Sequence, residues 1–228
     1  EDDAKISEFL GSIVGGFSGS YAASKFSLND IHVKTNTNTK TSSFIDGMSE
    51  TDAKRYNQWQ NYVDEGIESN DRVKLMNWEF SPDPKLYKQH KLTYDNPSYY
   101  NQMTGEVIYP GTKASAKGPI NGSVHIDGFL NGKYEIQTLE PGAVIDRYGS
   151  NGSGKYFSPI GTEIDARALP PHMYDSNILY TKYVVLKPLP VKSGVVAPWF
   201  DKTGNGIQYF TKLSVDDLIA HDYIKIIP

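Results

Sequence analysis

Apolar positions recur at helical spacing between Ser49 and Trp78, where Tyr56, Trp59, Tyr62 and Val63 share one face. Ser49 followed by Asp52 reads as an N-cap with an acidic first turn. Val73, Leu75 and Met76 predict the start of a second helix, and Pro82 and Pro84 are expected to end the helical region. The aromatic face reads as ordinary packing. Beyond it, tyrosines and turn formers take over in YDNPSYYNQMTGEVIYPG (Tyr94 to Gly111), and the texture turns to β. VHIDGFLNGKYEIQTL (Val124 to Leu139) alternates around Asn131-Gly132, which predicts a hairpin. AVIDRYG predicts a short strand. ILYTKYVVLKPLPV (Ile178 to Val191) predicts a β-branched strand closed by Pro188 and Pro190. IQYFTKL reads as another strand, and Ser214 as the cap of a short helix with Asp216 and Asp217 in its first turn.

Before the first helix, residues 25–46 read as polar linker, with KTNTNTKTSS (Lys34 to Ser43) having little to bury. FLGSIVGGFSGSYAAS (Phe9 to Ser24) reads as a flexible lead-in, or as a helix-packing or membrane-active remnant of an upstream region. The expected fold class is α+β. Residues 1–90 form a helical and linker region with no assigned function, and residues 91–228 a compact β-rich domain.

Composition narrows the function classes. The 228 residues carry a formal net charge of −4, which argues against a general attraction to nucleic acid or anionic membrane. With no cysteine, disulfide scaffolds, thiolate metal sites and cysteine nucleophiles are excluded. The chain starts at Glu1 without a visible signal peptide, so the expectation is a fragment whose missing upstream part carries delivery and any membrane contact.

Candidate chemistry concentrates in DRYGSNGSGKYFSPIGTEIDARALPP (Asp146 to Pro171). Arginine offers a planar fork for phosphate oxygens, and glycine lets a backbone approach a ligand. Gly149 to Lys155 has P-loop spacing, but Tyr156 replaces the Ser or Thr that would hold magnesium, and Pro159 forbids a long helix. Asp201 to Lys212 lacks the twelfth-position glutamate of a calcium loop, so DKTGNG reads as a tight turn. The five histidines show no metal-ligand spacing, and no metal site is expected.

Three pieces remain: Arg147 at a strand end, Arg167 before Pro170-Pro171, and Gln208 after a glycine-rich turn. Taken singly, each arginine reads as an ion-pair partner and Gln208 as a strand polar residue. Together with their surroundings they resemble the TNT domain, the tuberculosis-necrotizing-toxin family of NAD glycohydrolases. The resemblance rests on IDRYG, GKYFSPIGT, ARALPP, then KPLPVxxGxVAPWFDKTGNGIQY and DLIxxxYI, over about residues 135–228. NPSYYNQMTGEVIYP, just upstream, resembles the sequence that often precedes such domains.

The resemblance implies a mixed α/β toxin domain, distantly reminiscent of ADP-ribosylating toxins. It implies metal-free and cofactor-free hydrolysis of NAD, and of NADP, to nicotinamide and ADP-ribose or its phosphate. It maps Arg147 and Gln208 to catalysis, and Arg167, Tyr156, Phe157 and Ser158 to substrate binding. It also implies a secreted toxin acting in a target cell's cytosol, and a cognate immunity protein that covers the site. The residue chemistry is consistent: nicotinamide leaves as a neutral group from a cationic precursor, so clamping and charge stabilisation suffice without a general acid. Gln208 cannot act as a base, which fits hydrolysis better than transfer to protein; Glu163 is the nearest carboxylate in sequence. Mono-ADP-ribosyl transfer and a non-enzymatic, tyrosine-rich binding module are the alternatives.

Overall fold

The computed structural model describes residues 48–111, 124–149, 152–175 and 179–228. Both the lead-in at 9–24 and the polar tract at 34–43 lie outside the described residues. The chain divides into two compact units. One runs to Gln89 and includes Met103–Gly105; the other comprises His90–Gln102 and Glu106–Pro228.

The first unit is helical. Helix α1 (Glu50–Asp64) starts as the sequence predicts: the Ser49 side chain accepts from the Asp52 backbone N–H at 3.1 Å. Tyr56, Trp59 and Tyr62 are buried along its inner face, and α2 (Ser69–Asn77) adds Leu75 and Met76. Pro84 does not end the helical region. It opens a further helix, α3 (Pro84–Gln89), where its missing N–H costs nothing in the first turn, and Asp83 accepts from the N–H groups of Lys85 and Leu86. The Met103–Gly105 segment joins this unit because Phe80 N–H donates to the Thr104 carbonyl and Gly105 lies against Trp78, where a side chain would collide with the indole.

The second unit begins with the short α4 (Lys91–Tyr94) and is built on a seven-stranded antiparallel sheet. Its strands are β1 (Glu135–Leu139), β2 (Val144–Tyr148), β3 (Tyr156–Pro159), β4 (Tyr180–Val185), β5 (Leu189–Val195), β6 (Ile207–Phe210) and β7 (Ile224–Ile227), ordered β1-β5-β6-β3-β2-β4-β7. α5 (Ile164–Arg167) follows β3, and α6 (Val215–Ala220) precedes β7. Ser214 and Asp217 cap α6 reciprocally in a capping box. Leu139, Ile145, Phe157, Tyr183, Val185, Leu189, Val191, Leu218 and Ile224 form the core on one sheet face. A second cluster joins Tyr94, Tyr99, Tyr100 and Tyr109 to Trp199 and Phe200, with neighbouring rings 4.6–6.5 Å apart.

Two strand expectations are corrected. Val124 to Leu139 is not a hairpin: only Glu135–Leu139 is a strand, and it pairs with β5. The preceding residues form two successive tight turns, on Asp127-Gly128 and on Asn131-Gly132, all four with positive φ. Turn chemistry was read correctly at Asn-Gly, but a second turn four residues earlier removes the first arm. The predicted strand from Ile178 is two strands, and Pro190 lies inside β5. On β5, β6 pairs with Lys192–Val195 alone, so Pro190 has a neighbour only on the β1 side, where its missing N–H is tolerated.

Candidate active site

Arg147, Gln208, Arg167, Tyr156, Phe157 and Ser158 all line one cavity of about 430 Å³ in the second unit. Neighbouring strands carry five of the six, and α5 carries Arg167. β2 carries Arg147, β3 carries the aromatics and Ser158, and β6 carries Gln208, with β3 between the other two. The register puts Gln208 on the sheet face of Ser158 and Asp146, whereas Arg147 leaves β2 on the other face with Phe157 and borders the cavity from there. β3 begins at Tyr156, where a P-loop would begin a helix.

The two arginines differ sharply. Successive residues of β2 point to opposite faces, so Asp146 turns away from its neighbour Arg147. Asp146 is fully buried and pairs instead with Arg167, Nη2 to Oδ1 at 2.6 Å. It also accepts from the Tyr180 hydroxyl at 2.7 Å and the Gly161 N–H at 3.0 Å. Arg167 Nε donates to the Thr162 carbonyl at 2.7 Å, and its guanidinium lies over the Tyr148 ring, 5.2 Å from the centroid. Arg167 borders the cavity, but its charge is neutralised within the protein.

Arg147 is 8% exposed, and its Nε and Nη1 have no hydrogen-bond partner among the described residues. It rests over the Phe157 ring, 6.0 Å from the centroid. Burial lowers its pKa, the direction expected for a desolvated cation. Gly154 makes the seat: a methyl group there would overlap Nη1, Nη2 and Cζ of Arg147. Gly154→Ala should therefore unseat the guanidinium while sparing the core. The expected result is at least a tenfold weaker affinity for a diphosphate ligand such as ADP-ribose, with a melting temperature within about 3 °C of wild type. Calorimetric titration beside thermal unfolding checks both; unchanged affinity would refute the seat.

Gln208 is fixed from one side. Its Nε2 donates to the Asp127 carbonyl at 2.9 Å, which leaves Oε1 as an acceptor. Gly128 lies beside it, and its φ of +77°, more than any lack of space, favours glycine there. Tyr156, 38% exposed, packs against Phe210 with centroids 5.0 Å apart. Its hydroxyl pKa is raised, first by burial and then by the charge of Asp127. Phe157 is a core residue, edge-on to Tyr183, that also forms cavity wall beneath Arg147. Ser158 is buried and pairs with Asp146 in the β2–β3 ladder.

Tyr109, Asp127 and Trp199 also line the cavity, beyond the residues the motifs single out. Trp199 donates its indole N–H to the Ile108 carbonyl at 2.8 Å, and burial pushes the Tyr109 hydroxyl up to about 12. Asp127 lines the cavity beside Gln208, with φ +54° and an ion pair to Lys192 at 3.3 Å. Its one sequence signal was an Asp-Gly pair, absorbed into the expected strand. Glu163 is exposed and is not among the cavity-lining residues. Among the described residues, no three His, Asp or Glu side chains gather as a metal site, and no helix is long and apolar enough to cross a membrane.

Residues 138–227 match the family described as tuberculosis necrotizing toxin. Over 95 residues the chain is 37% identical to a protein of Aspergillus fumigatus named as a conidial surface nicotinamide adenine dinucleotide glycohydrolase. The chain spans 39% of the length of that relative, and the match covers 39% of this chain. Among solved structures it is similar to tuberculosis necrotizing toxin complexed with its immunity factor, at 17% identity and a TM-score of 0.41, covering 65% of this chain and 89% of that one. It is also similar to Tse6 in complex with Tsi6, at 17% identity and a TM-score of 0.32, covering 45% of this chain and 77% of the other.

Proposed function

We propose that residues 91–228 form an NAD glycohydrolase domain that splits the bond between nicotinamide and ribose, with NADP as a second substrate. The observation that carries this reading is the buried Arg147 guanidinium, unpaired among the described residues and bordering a cavity about two strands from Gln208. A buried cation without a partner is costly unless a ligand supplies the counter-charge. The pyrophosphate of a dinucleotide would do so through charge-assisted bonds. The family match and the name of the fungal relative point the same way.

The chemistry asks little of the protein. Nicotinamide in NAD carries a positive charge, and when the glycosidic bond breaks, the electron pair stays on the ring nitrogen. Arg147 would hold the diphosphate and Gln208 Oε1 would accept a hydroxyl of the nicotinamide-side ribose. Tyr156 would pack on a ring of the ligand. Arg167 and Ser158 would shape the wall near the phosphates. No cofactor enters the scheme.

We extend the reading to a secreted toxin that depletes dinucleotide in the cytosol of a target cell. Its producer would then need an immunity protein occluding the cavity mouth. Purified protein is expected to release nicotinamide from NAD at a rate unchanged by chelator, and Gln208→Ala to lower that rate by about a hundredfold with folding intact. Absence of nicotinamide release from wild type would overturn the reading. Label appearing on target-cell proteins instead of as free ADP-ribose would redirect it to transferase chemistry.

A further inference from the structure

Among the described residues, two acidic residues line the cavity, and they differ in how far their carboxylates are committed. Asp146 is fully buried, with its oxygens committed to Arg167, the Tyr180 hydroxyl and the Gly161 N–H. Asp127 sits on the opposite side, in the tight turn that leads toward β1. Its carboxylate is part-exposed and faces Lys192 of β5 at 3.3 Å; Tyr156 of β3 also feels its charge. Its backbone carbonyl is the group that fixes Gln208. Backbone and side chain of one residue thus meet the cavity where Gln208 presents its acceptor, while Arg147 stands two strands away.

That arrangement gives the cavity an electrical direction. The cationic guanidinium suits the diphosphate of a dinucleotide. The carboxylate suits the other end, where the substrate carries its positive charge and where an oxocarbenium centre develops. Resting on the NAD glycohydrolase reading above, we propose that Asp127 is a catalytic carboxylate that stabilises the cationic ribosyl centre and takes the proton of the attacking water. The glycosidic bond breaks with its electron pair going to the nicotinamide nitrogen. A bond then forms between the anomeric carbon and water oxygen. The proton lost by that water passes to an Asp127 oxygen and on to solvent. Nothing is oxidised or reduced. Lys192 pairs with the carboxylate and aims it, and is itself held over the Tyr134 ring, 4.6 Å from its centroid.

Two substitutions test this without disturbing the turn. Asparagine tolerates positive φ, and glycine adopts it freely, so Asp127→Asn and Asp127→Gly both fit at φ +54°. Both keep the carbonyl that anchors Gln208. Asp127→Asn is expected to lower kcat for nicotinamide release by about a hundredfold, with KM within about threefold. Asp127→Gly, which leaves room for a small anion, should regain about tenfold in kcat with added sodium formate, which should leave wild type unaffected. A kcat for Asp127→Asn within about threefold of wild type, a loss carried by KM, or no formate rescue would overturn the assignment while leaving glycohydrolase activity standing. If wild type itself releases no nicotinamide, both readings fall.

Discussion

Arg147→Met is expected to abolish activity and raise the melting temperature. The two effects share a cause. Arg147 is 8% exposed, with Nε and Nη1 unpaired among the described residues, and its cationic form is disfavoured by burial. That charge is a burden on the fold, because a buried ionised group without hydrogen bonds loses more hydration than it regains. Methionine offers similar length and volume without the charge, and can pack over Phe157 where the guanidinium lies 6.0 Å away. Relieving about 1 kcal/mol would raise the melting temperature by about 2–4 °C for a chain of this size. Nicotinamide release should fall by at least about a hundredfold, since the diphosphate loses its charge-assisted partner. Arg147→Lys should recover little, because an ammonium lacks the planar fork. ADP-ribose should stabilise wild type against heat and leave Arg147→Met unmoved, since only a ligand that binds the folded state shifts unfolding. A variant that is both inactive and less stable would show that Arg147 holds the fold together instead of serving a ligand.

Much of the second unit was legible because its strands announce themselves locally. Alternation and β-branched residues located β2, β4 and β6, and Ser214 with the acidic residues after it located α6. The turns were harder. Asn131-Gly132 was recognised, but Asp127-Gly128 was absorbed into an alternating pattern, and the expected hairpin followed from that. With the turn went its carboxylate, so Asp127 was missed as a cavity residue. Proline misled for a related reason. Pro84 and Pro190 sit where no N–H is wanted, at a helix start and at a stretch of strand with a neighbour on one side. The motifs pointed to the site residues, and β2, β3, β6 and α5 bring all six to line one cavity. What the chain could not disclose was the difference between the arginines. Asp146 is adjacent to Arg147 in sequence yet serves Arg167, because strand alternation sends neighbours to opposite faces and α5 returns Arg167 to the buried carboxylate.

Arg167→Met should therefore act through stability, in contrast to the same change at Arg147. Removing the guanidinium leaves the Asp146 carboxylate at zero exposure with only the Tyr180 hydroxyl and Gly161 N–H as donors. An uncompensated buried charge costs about 3–5 kcal/mol when one partner of such a pair is deleted. At about 2–4 °C per kcal/mol, the melting temperature should fall by about 6–20 °C. The Thr162 carbonyl would also lose the Nε donor that ties the α5 segment to the loop after β3. A double change, Arg167→Met with Asp146→Leu, removes both charges and should recover most of the lost stability, because an apolar pair of similar volume often replaces a buried ion pair without loss. The recovered protein separates the two roles open to Arg167. If it still releases nicotinamide within about tenfold of wild type, Arg167 acts by holding Asp146 and the wall of the cavity. If stability returns while turnover stays at least a hundredfold down, the guanidinium also contacts the diphosphate, and its pairing with Asp146 aims it there.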